Sequence, residues 1–379
     1  MANTLTNLIP ELYTALDVVS RELVGFVPSV TRDATADRAA KDQTVRSFIA
    51  PAATAGDITP GVTPPNDGDQ TIGNTTIVIT KARRVPFRWN GEESLSVSSG
   101  HGSAAIRAMQ LQQAIRTLCN EMETDLSALH TTASRAYGTA GTTPFASDLI
   151  DPANVRKILS DNGAPLSDLQ LVIDTTAGAK MRTLAQLTKA NEASDTSMLR
   201  QGELLSLHGF AVRESAQVKQ AVTVGTGASY TSDTAGYAIG ATSITLITGT
   251  GTILAGDVVT FAGDTNKYVV KTALAGGVIV LADPGLRKAL AASAVALTVV
   301  SAAARNMGFA RSAIVLATRL PALPDGGDMA VDRQTIVDPR SGLSFEVAMY
   351  AQYRQMQYEI SAAWGVKNIK PEHTAILLG

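Results

Sequence analysis

The four histidines, His101, His130, His208 and His373, are the first place to look for metal or acid–base chemistry. None lies with another histidine, with Cys119 or with a carboxylate at the spacing of a metal-ligand set, so the pattern predicts neither a metal site nor a cofactor. Cys119 is the single cysteine. It excludes an intramolecular disulfide, fits a reducing compartment, and falls within a helical pattern where a small buried hydrophobe is expected rather than a nucleophile. There is no GxSxG elbow, no Walker loop and no dinucleotide fingerprint. Gly249–Gly256 (GTGTILAG) has a phosphate-loop look, but it lacks the Lys-Ser/Thr ending and opens no helix, so it reads as a β-turn. Asp325–Asp328 (DGGD) offers too few oxygens for calcium and also reads as a turn. Asn74-Thr-Thr76 matches a glycosylation acceptor, which matters only on a secreted chain. The densest ionic group is Lys81, Arg83, Arg84 and Arg88. Two readings stay open: a solvated strand face, or ion pairs with Glu92, Glu93 or the acids between 57 and 69 on a second copy of the chain.

Composition agrees with a chain poor in chemistry. Of 379 residues, 45% are hydrophobic and only 17% are charged, against about a quarter in typical domains. That length suits two or three domains. A formal net charge of −2 gives no general attraction to nucleic acid or to anionic membrane. The first 27 residues lack the basic start and apolar run of a signal sequence, and Pro10, Glu11, Asp17, Arg21 and Glu22 interrupt any span.

The elements that must position these residues are legible from periodicity. His101–Ser134 holds Leu111, Ile115, Leu118, Met122, Leu126 and Leu129 at three- and four-residue steps, an amphipathic helix of roughly 50 Å. Before it, Leu8, Leu12, Leu16, Val19 and Leu23 mark a short amphipathic helix, and TRDATADRAAKDQ after Pro28 has little to bury. Residues 1–45 therefore read as an arm that needs something external to lie on. Thr44–Ser99 is rich in proline and glycine and then in β-branched and aromatic residues. It reads as a long two-stranded ribbon, out through 44–58 and back through 71–90, and a lone ribbon is marginal in water.

Asp151–Gly209 reads as a compact α/β unit: a helix opening at Asp151-Pro152, a strand in LQLVIDTTAG, a helix in AKMRTLAQLTKAN and a closing strand. Residues 218–303 are rich in Thr, Val, Gly and Ala. Strand-like runs at 221–224, 243–248, 257–262, 267–272, 278–281 and 295–300 suggest a small β-barrel or sandwich set into the α/β unit. The α/β character returns at Arg305. From Gly342 onward, two long antiparallel strands joined near Gln352–Gln355 offer an apolar face to the long helix.

This order of parts resembles the major capsid (coat) protein of tailed phages, an α+β fold known as Hong Kong 97-like. In that family the parts are called N-arm (here 1–45), E-loop (46–99), spine helix and P-domain (100–150 and 344–379) and A-domain (151–217 and 304–343). Two phrases are similar to phage coat proteins: Asn306–Arg319 (NMGFARSAIVLATR) followed by LPALP, and Trp364–Glu372 (WGVKNIKPE). An insertion at 218–303 is similar to that of the podophage coat family, where it is a small barrel. The resemblance implies a protein that binds itself as hexamers and pentamers in an icosahedral virion shell, assembled in the host cytoplasm. It also implies scaffolding and portal proteins as partners and weak, non-specific contact with packaged double-stranded DNA. Under it, Lys81, Arg83, Arg84, Arg88, Glu92 and Glu93 are the candidates for subunit contacts. An encapsulin-like nanocompartment shell and a soluble α/β enzyme are the alternatives.

Overall fold

A computed structural model describes residues 24–49, 55–58, 60–63, 68–98, 103–188, 206–218, 222–337 and 343–379. The expected helix from Leu8 to Leu23, and His101, lie outside these residues. The protein is a strand-rich α+β structure with few helices.

One body is a sheet with a long helix across it. Strands β1 (Thr31–Ala39), β4 (Lys81–Asn90), β15 (Ile314–Pro321), β16 (Ala330–Val337), β17 (Ser344–Gln352) and β18 (Gln355–Asn368) form it, in the order β1-β15-β18-β17-β16 with β4 on the other side of β18. The β17–β18 hairpin closes at Gln352–Gln355, as its alternating sequence predicts. Helix α2 (Ser103–Ser127) lays its stripe on this sheet. Leu118, Met122 and Leu126 are buried with Phe345, Ile360, Ala362 and Trp364, and Leu111, Ile115 and Leu129 flank them. Cys119 is buried in the same core as a small apolar side chain.

Helix α2 ends seven residues earlier than periodicity alone suggests. Ser127, Thr131 and Thr132 turn their hydroxyls onto the carbonyls of Thr124, Ala128 and Leu129. Such back-bonding competes with regular helix, and Ala128–Thr132 closes as a tighter 3-10 turn. At 25 residues the helix is about 37 Å long.

The ribbon exists but is shorter than expected. Strands β2 (Thr44–Ile49) and β3 (Gly73–Val78) pair antiparallel from Thr44–Val78 to Ile49–Gly73. Strand β4, expected as part of the ribbon, instead pairs with β18 over ten residues. Its alternate side chains Val85 and Phe87 need an apolar partner, and α2 supplies one. The ribbon is rooted on the opposite face of the sheet, where Ile77 and Ile79 pack on Val315, Ala317 and Ala363. Gly365 makes this crossing possible, because a Cβ there would run into the Val78 carbonyl oxygen.

Residues 24–39 also differ from the expected free arm. Phe26, Val27 and Val30 are buried in the main core, and β1 pairs parallel with β15. The charged look of TRDATADRA hid this, because the strand joins the sheet through its backbone and Ala39, and the apolar residues Phe26, Val27 and Val30 lie before it.

The second body is the α/β unit. Strands β5 (Arg135–Tyr137), β6 (Leu169–Ile173), β7 (Phe210–Glu214), β14 (Arg305–Ala310) and β19 (Thr374–Leu378) run in the order β5-β19-β14-β6-β7. Strand β6 sits between two cores: Leu169, Leu171 and Ile173 face helix α3 (Ile150–Asp161), whereas Val172 faces the α2 side. Asp151 does not cap α3. Its carboxylate accepts from the Phe145 backbone N–H at 2.7 Å and pins the preceding loop. Helix α4 (Thr175–Met181) begins before the predicted Ala179, because Asp174 takes the N–H groups of Thr176 and Ala177, both at 3.2 Å.

Strands β8 (Tyr230–Ser232), β9 (Ser243–Ile247), β10 (Val258–Phe261), β11 (Lys267–Ala275), β12 (Val278–Leu281) and β13 (Ala296–Val299) pair in a closed ring, β10-β13-β8-β9-β12-β11 and back to β10. Ile244, Leu246, Val259, Phe261, Ile279, Leu281 and Leu297 fill it. The expected strand at 221–224 is not one; 222–224 carries no strand, and the ring starts at Tyr230.

Leu118 is 1% exposed at the centre of the α2 contact. Leu118→Asp is expected to cost more than about 4 kcal/mol, the range of an uncompensated buried charge. Circular dichroism and gel filtration should find unfolded or aggregated chain; a soluble, folded monomer would mean that the stripe faces a second copy instead.

Candidate assembly surfaces

Among the described residues no group of three or more His, Cys, Asp or Glu is placed to hold a metal. His130 is buried, with Nδ1 2.9 Å from the Ser127 carbonyl oxygen. Burial holds His373 below the usual histidine range, with Glu372 opposing. The Gly249–Gly256 loop is a turn with positive φ at Gly249, Gly251 and Gly256. A side chain at Gly249 would strike Tyr230, and one at Gly251 would strike Thr226, so this backbone packs on the ring and offers no cradle. Asp328 of the DGGD loop is engaged by Arg333, by the Tyr350 hydroxyl at 2.9 Å and by the Ala330 N–H at 3.0 Å. Among the described residues no helix is long and apolar enough to cross a membrane.

The basic strand β4 is organised by helix α2. A two-residue step along a strand and a four-residue step along a helix both advance roughly 6 Å. Alternate β4 residues therefore meet i, i+4 residues of α2 when the two run in opposite directions. Lys81 lies 2.7 Å from Asp125, and Arg83 lies 3.3 Å from Glu121. Val85 and Phe87 follow in the core, and the Trp89 indole N–H donates to Gln110 at 2.8 Å. On the other face Arg84 pairs with Glu359 at 2.8 Å, which holds its guanidinium above the usual arginine range. Glu93 has a different task from an intersubunit pair. It accepts the Asn90 N–H at 3.0 Å while the Asn90 side chain accepts the Glu93 N–H at 2.7 Å, a reciprocal cap on helix α1 (Gly91–Ser98). Glu92 is exposed in the first turn of that helix. Of the six candidates, then, Lys81, Arg83 and Arg84 take carboxylates of their own chain and Glu93 caps a helix. The sequence could not show this, since Asp125, Glu121 and Glu359 are distant in the chain.

Glu123 was not a candidate, yet it is a buried carboxylate with every contact inside the fold. It is 1% exposed, and accepts from the backbone N–H of Phe26 at 3.0 Å, that of Val27 at 2.7 Å and the Ser215 hydroxyl at 2.8 Å. Burial pushes its pKa above the ordinary carboxylate range, opposed by those N–H groups and the hydroxyl. The only sequence signal was a glutamate one position after a stripe residue, Met122.

Among the large apolar side chains that stand in solvent, two groups lie on projections. In the ribbon loop Ile58 is 97% exposed and Ile72 is 68% exposed. At the tip of the β16–β18 sheet, Met329, Val331 and Tyr353 are exposed beside a 380 Å³ cleft lined by Arg84, Tyr350, Gln357 and Glu359. Singly exposed apolar residues are common, but such residues gathered on thin projections mark contact surfaces.

No protein-family model matches the chain, and no curated protein does. Solved structures do. A chain of Mycobacterium phage Che8 superposes with a TM-score of 0.50 at 14% identity, covering 99% of this chain and 98% of that one. A chain from the capsid structure of cyanophage P-SCSP1u also gives 0.50, at 11% identity over 95% and 89%. The chain has a phage capsid fold. The likeness covers nearly the whole chain rather than one portable domain.

Removing the Glu123 carboxylate strands two buried N–H donors at the point where the N-terminal part enters the core. Glu123→Ala is expected to destabilise by about 2–4 kcal/mol, two unmet buried donors plus a small cavity. Denaturant unfolding gives the magnitude, and limited proteolysis should cut first between residues 24 and 30.

Proposed function

We propose that this chain is a major capsid protein of a tailed phage, a structural rather than enzymatic protein that assembles with copies of itself into an icosahedral shell around double-stranded DNA. The observation that carries the reading is the likeness to phage capsid chains over nearly the whole length, which a fold shared only in one domain would not give. Under it the fold is Hong Kong 97-like: α2 is the spine, the β2–β3 ribbon with its loop is the E-loop, the β15–β18 sheet is the P-domain, the β5–β7 unit is the A-domain, and the ring is an inserted barrel. Hexamers and pentamers, scaffolding and portal partners, assembly in the host cytoplasm and virion localisation follow from the same reading.

The physics of the surfaces supports it. A ribbon with Ile58 and Ile72 in solvent has too little core of its own to hold one shape, and burial on a neighbour supplies what is missing. Contacts of this head-to-tail kind close into rings when the rotation is right and run on into tubes or sheets when it is not. Lys81, Arg83 and Glu93 serve the subunit's own fold, whereas exposed Arg84, beside the apolar tip cleft, and Glu92 face outward and are the ones we assign to a neighbour, with Arg88 alongside. An encapsulin-like shell is not favoured, because the matched chains come from phages.

Negative-stain microscopy of the purified protein, alone and after co-expression with neighbouring genes, is expected to show shells, tubes or sheets. A monodisperse small particle under both conditions would overturn the reading. The assignment of Arg84 has its own test. Its side chain is 60% exposed, so Arg84→Ala should change the unfolding free energy by less than about 1 kcal/mol, while lowering the denaturant concentration at which assembled shells come apart. Shells of unchanged resistance would remove Arg84 from the interface.

A further inference from the structure

A 300 Å³ cavity opens where β5 of the α/β unit pairs with β11 of the ring. One wall is the loop that follows β5, and the other is the start of β11 with Thr265 before it. The loop is held at three points. Gly138 has positive φ and passes so close to β19 that a Cβ there would strike the Leu378 carbonyl oxygen. Phe145, buried at a φ of 61°, gives its N–H to the Asp151 carboxylate at 2.7 Å. Asp148 accepts the Ile150 N–H at 3.1 Å. A left-handed backbone at a residue other than glycine persists only where its surroundings fix it, so this wall is formed before any ligand arrives.

Five hydroxyls line the cavity, those of Thr139, Thr142, Thr143, Ser147 and Thr265. Among the described residues none of the five has a hydrogen-bond partner, whereas Thr131, Thr132 and Thr183 turn theirs back onto carbonyls of their own chain. Three charged groups join them. Lys267 donates to the Gly138 carbonyl, and burial holds its ammonium below the usual lysine range. Burial also pushes Asp151 above the usual carboxylate range, against the Phe145 N–H, and Asp148 adds to the rise. The Tyr137 phenol is raised by burial and then by Asp151 and Asp148. Among the described residues neither carboxylate forms an ion pair, and neither does Lys267. Pro144, Ile150 and Leu378 supply the apolar part of the lining.

The geometry points to a binding site for a small, neutral, polyhydroxylated molecule, a single sugar ring or a short polyol, with Thr143, Asp148 and Lys267 among its polar contacts. Ligand cavities run from about 300 to 1,000 Å³, and this one lies at the small end. A hydroxyl both donates and accepts, so a ring of hydroxyls can meet threonines, a carboxylate and an ammonium and leave none of them unmet. An anion would face Asp148 and Asp151, and a cation would face Lys267, in a setting where burial strengthens the effect of charge. The C–H faces of a sugar ring suit Pro144, Ile150 and Leu378. Thr139, Thr142, Ser147 and Asp148 are exposed, so the mouth is open to solvent. The sugar is therefore either free or the end unit of a glycan. The site goes beyond the shell reading and does not rest on it.

The test uses the full-length purified chain and saturation-transfer NMR. Glucose, galactose, mannose and glycerol are the neutral probes, and inorganic phosphate and methylammonium are the charged ones. Wild type is compared with Asp148→Ala, Thr143→Val, Lys267→Met and, as a control elsewhere on the ring, Lys271→Ala. At least one neutral probe is expected to receive saturation from wild type and from Lys271→Ala. Its affinity should fall about tenfold in each of the three cavity variants, the effect of one lost hydrogen bond. A short oligomer of the sugar that binds separates the two sources. An oligomer that binds as tightly as the single ring assigns the site to a glycan end, and one that does not bind assigns it to free sugar. No transfer to any neutral probe overturns the proposal, as does transfer that is unchanged in Asp148→Ala. Tighter binding of phosphate or methylammonium, lost in Lys267→Met or Asp148→Ala, overturns it as well and gives the cavity to an ion. Asp148 is exposed in a loop, so its variant, checked by circular dichroism, keeps the test decisive even if Thr143→Val or Lys267→Met does not fold.

Discussion

Two carboxylates two residues apart on helix α2, Glu123 and Asp125, hold the fold together. Asp125 accepts the indole N–H of fully buried Trp364 at 2.9 Å with one oxygen and the Lys81 ammonium at 2.7 Å with the other. It therefore ties the helix to β18 and β4 at once. Glu123, turned toward the α/β side, holds the backbone at Phe26 and Val27 and the Ser215 hydroxyl just after β7. Each is a polar group in a largely apolar contact, and each is satisfied by donors from segments far apart in the chain. An apolar stripe alone would let the helix slide or rotate against the sheet; directional bonds at two azimuths do not. The position of β4, the entry of the N-terminal part and the orientation of the α/β unit all follow from how α2 is seated.

That arrangement explains which parts of the molecule were legible in the sequence. The α2 stripe, the β17–β18 hairpin and five of the six ring strands are written as local periodicity, and periodicity is what burial on one face imposes. The end of α2 was misread because serine and threonine hydroxyls act through hydrogen bonds that no hydropathy pattern carries. Strand β1 was missed for a similar reason. Its pairing with β15 uses backbone groups, which no hydropathy pattern carries, and the partners of Asp33 and Arg38, namely Arg319 and Glu346, are distant in the chain. The ribbon was legible as a composition, rich in glycine and proline and poor in core, but the fate of each charge was not. Whether Arg83 meets Glu92 or Glu121 depends on the facing of β4 against α2, which is a property of the folded chain.

The ribbon shows how a weak element is given a firm base. Its distal part has little to bury, whereas its root is held by the Ile77 and Ile79 contacts, by the Lys367 ammonium on the Thr76 carbonyl at 2.8 Å and by the close passage at Gly365. A fixed root sets the direction in which the ribbon leaves the body. Less orientational freedom is then lost when the projection is buried on something else. The same economy applies at the β16–β18 tip, where a long hairpin carries Met329, Val331 and Tyr353 outward from a fully packed sheet.

The ring obeys the opposite rule, since its described attachment is built from strand pairing. Strand β11 pairs with β5 at Lys267 and Tyr268 and only then turns into the ring to meet β12 from Val270 onward, so ring and body share one continuous strand. Arg135, 3% exposed, reinforces the joint by reaching the Ile158 carbonyl at 3.2 Å and Asn162 at 3.1 Å on the α3 side and Asn266 at 3.4 Å on the ring side. Its guanidinium is held below the usual arginine range by that burial, with Asp161 opposing, so the joint tolerates a desolvated charge for the sake of a fixed angle. A hinged accessory domain would hang from exposed linkers with few contacts crossing. Here the crossing contacts are backbone ladders and a buried cation, so the ring moves with the α/β body, and whatever it meets in an assembly it meets at an angle set by the subunit itself.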